Sequence, residues 1–480
     1  MFEYWYASRP TPESAVLLDR MRESRRAEAR AGAERLVAVG ELLMVRCRES
    51  GERPDWAADT WEAVAAQVAA ALQCSVGLAH SYLRHAMAMR DRLPQVGKAF
   101  QAGDIDYRAF QTIVFRTDLI ADADVLAKVD AHVAALVSRR PSLTRGGLGA
   151  AVDRVVAIVD ADAVRRASRA ATDRFLDVRA NESGMAWVSG NVLGTDGRAL
   201  DKRLDELAGS VCEEDPRTRA QRRADALGAL AAGAQRLVCG CGVSGCPAAA
   251  PTTSNVVIHV VAERASVEGT GSAPGVLSGA EGLVPAEVIA ELVKSARLVP
   301  LIAPVGAESH YVPSAKLADF VRCRDLTCRA PGCGRPATEC DVDHTIPYSQ
   351  GGATHASNLK SLCRLHHLMK TFWGWRDQQL QDGTVIWTLP DGDTYVTSPG
   401  SALFFPTLCA PTGKVLPAAA PGPEHCADRT AMMPLRTSTR AQSRAHRIAA
   451  ERRHSRRIRL AASVAQTEPL AEGDGEPPPF

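Results

Sequence analysis

The residues with the most chemical potential lie between Cys328 and Gly374, in the segment CRAPGCGRPATECDVDHTIPYSQGGATHASNLKSLCRLHHLMKTFWG. Two close pairs stand out, Cys328-x4-Cys333 and Cys363-x2-His366. Four soft or borderline ligands in two such pairs suit tetrahedral Zn²⁺, which would staple a segment too small to bury its own core. Cys340 can compete for a place in that set, and reduced cysteines in a plain loop are the rival explanation.

A structural zinc has no use for Asp343, His344, Asn358 or His367. They make sense beside a second cation. Asp343 and His367 can hold a divalent ion through a carboxylate oxygen and an imidazole nitrogen, leaving other positions for water and phosphate. His344 is then free to take a proton from the attacking water, a task suited to neutral imidazole near pH 7. The ion would polarise a scissile phosphate and neutralise the leaving 3′ oxygen. Asn358 can hold the loop that carries His344, and Gly351-Gly352 permit a sharp return between two strands. Arg364 and Lys370 follow on a helix, where they can meet phosphates.

With Asp343-His344, Asn358 and His367, the Gly-Gly loop and the helix start CRLHHLMK, residues 322–375 resemble HNH endonucleases of the ββα-metal type. The resemblance implies His344 as general base, Asn358 as its orienting residue, and Asp343 and His367 as ligands of the catalytic metal (Mg²⁺, Mn²⁺ or Zn²⁺). It also implies a structural Zn²⁺ on Cys328, Cys333, Cys363 and His366, with a histidine where a fourth cysteine is more usual. The wider layout is similar to bacterial proteins that place a long helical domain of unknown function before an HNH module, some of them associated with mobile or repeated elements. Tyr311-Val-Pro-Ser314, Phe320-Val-Arg-Cys-Arg-Asp325 and the basic tail carry that similarity.

The elements that must position these residues follow from periodicity and composition. At 480 residues the chain needs more than one core. Residues 1–155 read as a mainly α domain, with helices expected over 13–49, 61–72, 76–92, 96–102, 107–116 and 122–138. Residues 67–83 are a candidate helix-turn-helix, weighed against two packed helices of an ordinary bundle. Residues 156–310 read as an α+β region of unknown function, with a hairpin over 174–192 turning at 181–184 and a strand over 254–263. Helices are expected over 197–208, 218–232, 285–295 and 314–322. Residues 311–398 form the nuclease domain, ending in a hairpin with Asp391-Gly392 in its turn. Residues 399–480 read as a low-complexity, Arg-rich, mostly disordered tail containing one basic helix.

The net charge of +2 does not mark a nucleic-acid binder, yet residues 436–459 hold nine arginines and one acid, Glu451. That favours non-specific phosphate binding over a merely solvated face. The thirteen cysteines cluster at metal-ligand spacings. With no export-like start and no run of ~18 apolar residues, they place the chain in a reducing cytoplasm. Cys239, Cys241 and Cys246 form a second cluster lacking a fourth ligand, His259 being a remote candidate; free thiols in a glycine loop are the alternative. His310, His355 and His425 are expected at the surface. Trp373 and Trp375 are expected to close the nuclease core rather than stack on bases. DNA is the expected partner, no membrane is expected, and an inert zinc-containing DNA-binding protein and a zinc-bearing protein-interaction module are the competing functions.

Overall fold

The computed structural model describes residues 11–139, 144–164, 174–180, 185–249, 259–277, 283–294, 296–413 and 432–467. They fall into two compact units, residues 1–166 with 430–480, and residues 167–429.

The first unit is helical: α1 (Pro12–Ser50), α2 (Thr60–Ala71), α3 (Val76–Met87, running into a wider turn at Ala88–Arg92), α4 (Pro94–Ala102), α5 (Tyr107–Thr117), α6 (Ala123–Arg139) and α7 (Arg145–Val159). Their starts are set by side-chain caps: Thr11, Asp59, Ser75, Asp106 and Thr144 each accept from a backbone N–H of the first turn. Apolar faces converge on one core containing Leu36, Val64, Leu83, Phe100, Phe110, Ile113, Val133 and Val152. The axes of α2 and of α3 with its extension meet at 113°, a helix-turn-helix angle. Both helices nonetheless bury Val64, Val68, Ala79 and Leu83 in the common core, as the bundle alternative requires. No single described helix is long and apolar enough to cross a membrane.

The second unit opens with a hairpin, β1 (Phe175–Ala180) and β2 (Ala186–Asn191), whose expected turn at 181–184 lies outside the described residues. The helices α8 (Gly194–Ala208) and α9 (Arg219–Ala231) follow, then β3 (Val260–Val261), α10 (Arg264–Val267), β4 (Gly275–Leu277), β5 (Leu283–Val284) and α11 (Ala286–Val293). Strands β3, β4 and β5 form a small antiparallel sheet; most of the strand expected over 254–263 lies outside the described residues. Helix α12 (Ala315–Asp325) leads into β6 (Asp341–His344), β7 (Leu359–Leu362), α13 (Arg364–Phe372), β8 (Arg376–Gln379), β9 (Val385–Thr388) and β10 (Thr394–Thr397). The hairpin expected around Gly392 is β9–β10, and β8 adds a third strand on its other edge. Trp375 and Trp387 close this core edge to face, 5.9 Å between ring centroids, as expected for Trp375. Order continues past Gly400, because Phe405 buries beside Leu326 and Val276.

The last element, α14 (Arg440–Thr467), returns to the helical unit. The expected helix forms, but six of its neighbourhood's nine arginines are committed to acids of the chain. Arg436 and Arg440 pair with Asp59 and Glu62, Arg444 and Arg447 with Asp118, Arg452 with Asp160, and Arg459 with Asp162. Ile448 joins the common core. Residues 436–459 are therefore a docked strap rather than a loose tail, held by charge complementarity invisible to a local count. Arg453, Arg456 and Arg457 remain exposed.

Deleting residues 432–480 should therefore destabilise the helical unit by a few kcal/mol, taking about 0.2–1 kcal/mol for each part-exposed pair, and should change DNA affinity less. A lowered melting temperature checks this; unchanged melting with weakened binding would return the tail to a phosphate role. Acid should loosen the same contact. Burial alone would raise the Glu62 pKa, but His80 and Arg440 outweigh it and hold it at about 2. The stabilisation is thus complete above the ordinary glutamate value of about 4.3 and lost as pH falls towards 2.

Candidate metal and nuclease site

The site is built on two short antiparallel strands and the helix that follows. Strands β6 and β7 pair Asp343 with Lys360 and His344 with Leu359. Side chains alternate along a strand, so Asp341 and Asp343 share a face, and α13 lies against it. The turn joining the strands depends on Asn358, whose Oδ1 accepts from the Ile346 N–H (2.8 Å) while its Nδ2 donates to the carbonyls of Ile346 (3.0 Å) and Ala353 (2.9 Å). This is the loop-holding role expected of Asn358. A Cβ at Gly352 would lie 1.9 Å from the Ile346 carbonyl oxygen, so only glycine fits. Helix α12 supports the hairpin from behind: Arg324 donates to the carbonyls of Ala356 and Leu359 (2.7 Å each), and Asp325 accepts from the Ser361 N–H (2.7 Å).

Cys328, Cys333, Cys363 and His366 bring their ligand atoms within 4.8 Å of one another. The separations Cys363 Sγ–His366 Nδ1 (3.2 Å), Cys328 Sγ–His366 Nδ1 (3.6 Å) and Cys333 Sγ–Cys363 Sγ (3.9 Å) are close to the ~3.5–3.8 Å edges of a tetrahedron with Zn–S near 2.3 Å. The backbone N–H of Cys363 also donates to Cys328 Sγ (3.3 Å). This donor set could hold zinc. Cys340 lies outside it, its thiol directed at the Pro336 carbonyl (3.2 Å).

Asp343 and His367 are brought together on the other side of α13. The imidazole of His367 spans the two acids of β6, Nδ1 lying 2.9 Å from Asp341 Oδ2 and Nε2 3.5 Å from Asp343 Oδ1. Asp341 thereby fixes the ring so that Nε2 faces Asp343, as carboxylates do behind metal-bound histidines. Two ligands of one ion with bonds of about 2.1 Å can stand 3.5 Å apart, so Asp343 Oδ1 and His367 Nε2 fit a divalent cation.

The other oxygen of Asp343 is occupied by Lys360 (2.7 Å) and Lys370 (2.6 Å), and both ammonium groups also pair with Asp377. Lys370 was expected at a phosphate; its ammonium instead turns inward, bonding Asp343 and the His344 carbonyl. The reason is its place three residues after His367, on the same helical face. Arg364 is exposed near Asp341 (3.6 Å) and stays available to a phosphate. Burial works against the charge of Asp343, but Lys360, Lys370 and His367 carry its pKa below the ordinary carboxylate range. Burial likewise opposes the charge of Lys360, yet Asp343 and Asp377 raise its pKa.

His344 stands apart from both ligand sets. Its Nε2 is 3.0 Å from Thr354 Oγ1, and that hydroxyl donates to the His310 carbonyl (2.6 Å). A hydroxyl has one proton to give, so Thr354 accepts from His344, whose proton is on Nε2 and whose lone pair is on Nδ1. Among the described residues no protein group meets Nδ1. Tyr311 stacks on the ring at 5.3 Å and Tyr348 meets its edge at 5.9 Å. Burial, more than the competing charges of Asp343 and the lysines, lowers the His344 pKa.

Of the three histidines expected at the surface, one departs from expectation. His355 is buried rather than exposed, its Nδ1 against Ser357 Oγ (2.7 Å); His310 is exposed, and His425 lies outside the described residues. Asp341, Thr354 and Lys360 were not singled out from the sequence. The alternation of a strand would have found Asp341, two residues before Asp343; Lys360 and Thr354 carried no local signal.

Residues 23–325 match the family described as a domain of unknown function, DUF222, and residues 327–372 match HNH endonuclease. The chain belongs to the DUF222 family. Its HNH domain begins two residues after the DUF222 match ends, the layout expected from the sequence, and it supports a nuclease-type function and suggests nucleic acid as a substrate or partner. An uncharacterized protein of Mycobacterium tuberculosis is 44% identical over 478 residues, covering 92% of this DUF222 chain and 90% of its own. Another from that organism is 42% identical over 485 residues, covering 92% and 88%. No solved structure matches.

Proposed function

We propose that the chain is a divalent-metal-dependent endonuclease that hydrolyses DNA phosphodiester bonds to 5′-phosphate and 3′-hydroxyl ends. The observation that supports this most is His344: a buried imidazole with its tautomer set by Thr354, bonded to neither ligand set, on the strand that carries Asp343. Cys328, Cys333, Cys363 and His366 would hold a structural zinc, and Asp343 with His367 would hold Mg²⁺, Mn²⁺ or Zn²⁺. When bound, that second ion supplies Lewis-acid polarisation of the phosphate and neutralises the leaving oxygen.

The chain's own groups divide the remaining work. His344 Nδ1 takes the proton of the attacking water, and a lowered pKa keeps the ring neutral and ready at pH 7. Asn358 holds the loop that sets the ring's position. Asp341 holds His367 by Nδ1, and Lys360 and Lys370 keep Asp343 ionised. Arg364, at the start of α13, receives a neighbouring phosphate, helped by the helix N-terminus. Reduced thiols in a cytoplasmic setting keep the zinc ligands available.

Nicking of supercoiled plasmid by the intact chain with Mg²⁺, Mn²⁺ or Zn²⁺ tests this. Binding without cutting would instead identify an inert zinc-containing DNA-binding protein. Thr354→Val should slow nicking on the order of 10²-fold while DNA affinity and zinc content stay unchanged. Nitrogen NMR of His344 should then show loss of the single Nε2-protonated tautomer; an unchanged rate would remove Thr354 from the mechanism.

A further inference from the structure

Far along the chain from the nuclease motif, Cys212, Cys239, Cys241 and Cys246 bring four sulfur atoms within 4.8 Å of one another. Three of them are visible as a sequence cluster; the fold supplies the fourth. Cys212 follows α8, while the other three lie in the loop after α9. The two helices are clamped by Arg223 between Asp201 (2.6 Å) and Asp205, and by Arg219 on Asp205 (2.9 Å).

Their loops are then stitched together next to the sulfurs. Buried Asp215 accepts from the Gly240 N–H (2.8 Å) and from Arg217 (2.7 Å), which also donates to the Val238 carbonyl (2.7 Å). Ser210 accepts from the Leu237 N–H (2.9 Å). These bonds bring Cys212 Sγ to 3.4 Å from Cys239 Sγ, well beyond the ~2.05 Å of a disulfide and suited to two ligands of one ion.

The second pair repeats a device from the nuclease domain. Cys241-Gly-Val-Ser-Gly-Cys246 and Cys328-Arg-Ala-Pro-Gly-Cys333 share one spacing, and each has a glycine at positive φ just before its second cysteine, Gly245 at 84° and Gly332 at 68°. The Val243 N–H points at Cys241 Sγ (3.4 Å), the backbone-to-sulfur contact that neutralises a metal-bound thiolate. Residues 209–249 contain no regular element other than α9, so the segment needs a staple in place of an extended core.

We infer that Cys212, Cys239, Cys241 and Cys246 form a four-thiolate structural zinc site within the DUF222 region. Zn²⁺ enters as four thiols release four protons, with no change of oxidation state. Tetrahedral S₄ suits zinc or iron; zinc matches a site whose only task is to join two loops. His259 has no part in it. The inference does not depend on the nuclease reading.

Metal analysis of the full chain, purified under reducing conditions and mildly chelated to clear any ion held by Asp343 and His367, tests it. Two zinc equivalents per chain are expected, falling to one in Cys212→Ser, to one in Cys333→Ser and to none in the double variant. Should Cys212→Ser fail to fold, Cys333→Ser alone decides, because its one remaining equivalent must come from the DUF222 site. Cobalt(II) bound to Cys333→Ser should show intense thiolate charge-transfer absorption. No zinc in Cys333→Ser, undiminished zinc in Cys212→Ser, bound iron, or a Cys212–Cys239 disulfide in the reduced preparation would each overturn the assignment.

Discussion

His344→Ala should leave a folded, zinc-bearing chain that cuts DNA about 10²–10⁴-fold more slowly, the usual contribution of a general base. The size follows from what His344 touches. Among the described residues its ring bonds only Thr354, with Tyr311 stacked on its face and Tyr348 at its edge, so its removal frees no buried charge and disturbs no metal ligand. Nicking rate and zinc content measured on the same preparation check this. Zinc lost together with activity would mean that the stapling and working sets have been wrongly divided. Retained activity would mean that another group, or bulk hydroxide, deprotonates the water.

Lys360→Met should be the most destabilising single change in the nuclease domain, costing about 3–5 kcal/mol. Lys360 is fully buried, and its ammonium meets Asp343 (2.7 Å), Asp377 and the Thr345 hydroxyl (3.1 Å). Without it, Asp343 and Asp377 share the single cation of Lys370. Combining Lys360→Met with Asp377→Asn removes one charge of each sign and should recover much of the loss. Guanidinium unfolding followed by tryptophan fluorescence reads this directly, because Trp387 lies 6.0 Å from the Lys360 ammonium. A single variant as stable as the parent would show that the carboxylates protonate or rehydrate at little cost.

Much of this architecture is legible from local pattern. Apolar periodicity locates α1 to α6, and paired soft ligands identify a Cys/His cluster that could hold zinc, because both signals lie within a few residues of one another. What stays hidden depends on distant segments meeting. Arg444 and Arg447 look like a nucleic-acid patch until Asp118 is seen beneath them. Lys360 reads as a surface lysine because only the pairing of β6 with β7 places it opposite Asp343. Lys370 reads as a phosphate contact because only the docking of α13 against β6 turns its helical face, shared with His367, toward Asp343. Thr354 becomes visible only through its bonds to His344 and His310, and Cys212 only once α8 and α9 lie side by side.

Cleavage of supercoiled plasmid by chain that retains its clustered zinc, with the ion between Asp343 and His367 removed by mild chelation and then resupplied, tests the separation of stapling from working ion most directly. The chelated chain should hold its zinc and cut nothing, and Mg²⁺ or Mn²⁺ should restore nicking in the parent but not in Asp343→Asn. Undiminished cutting by the chelated chain, or no cutting with any divalent ion, would contradict the account.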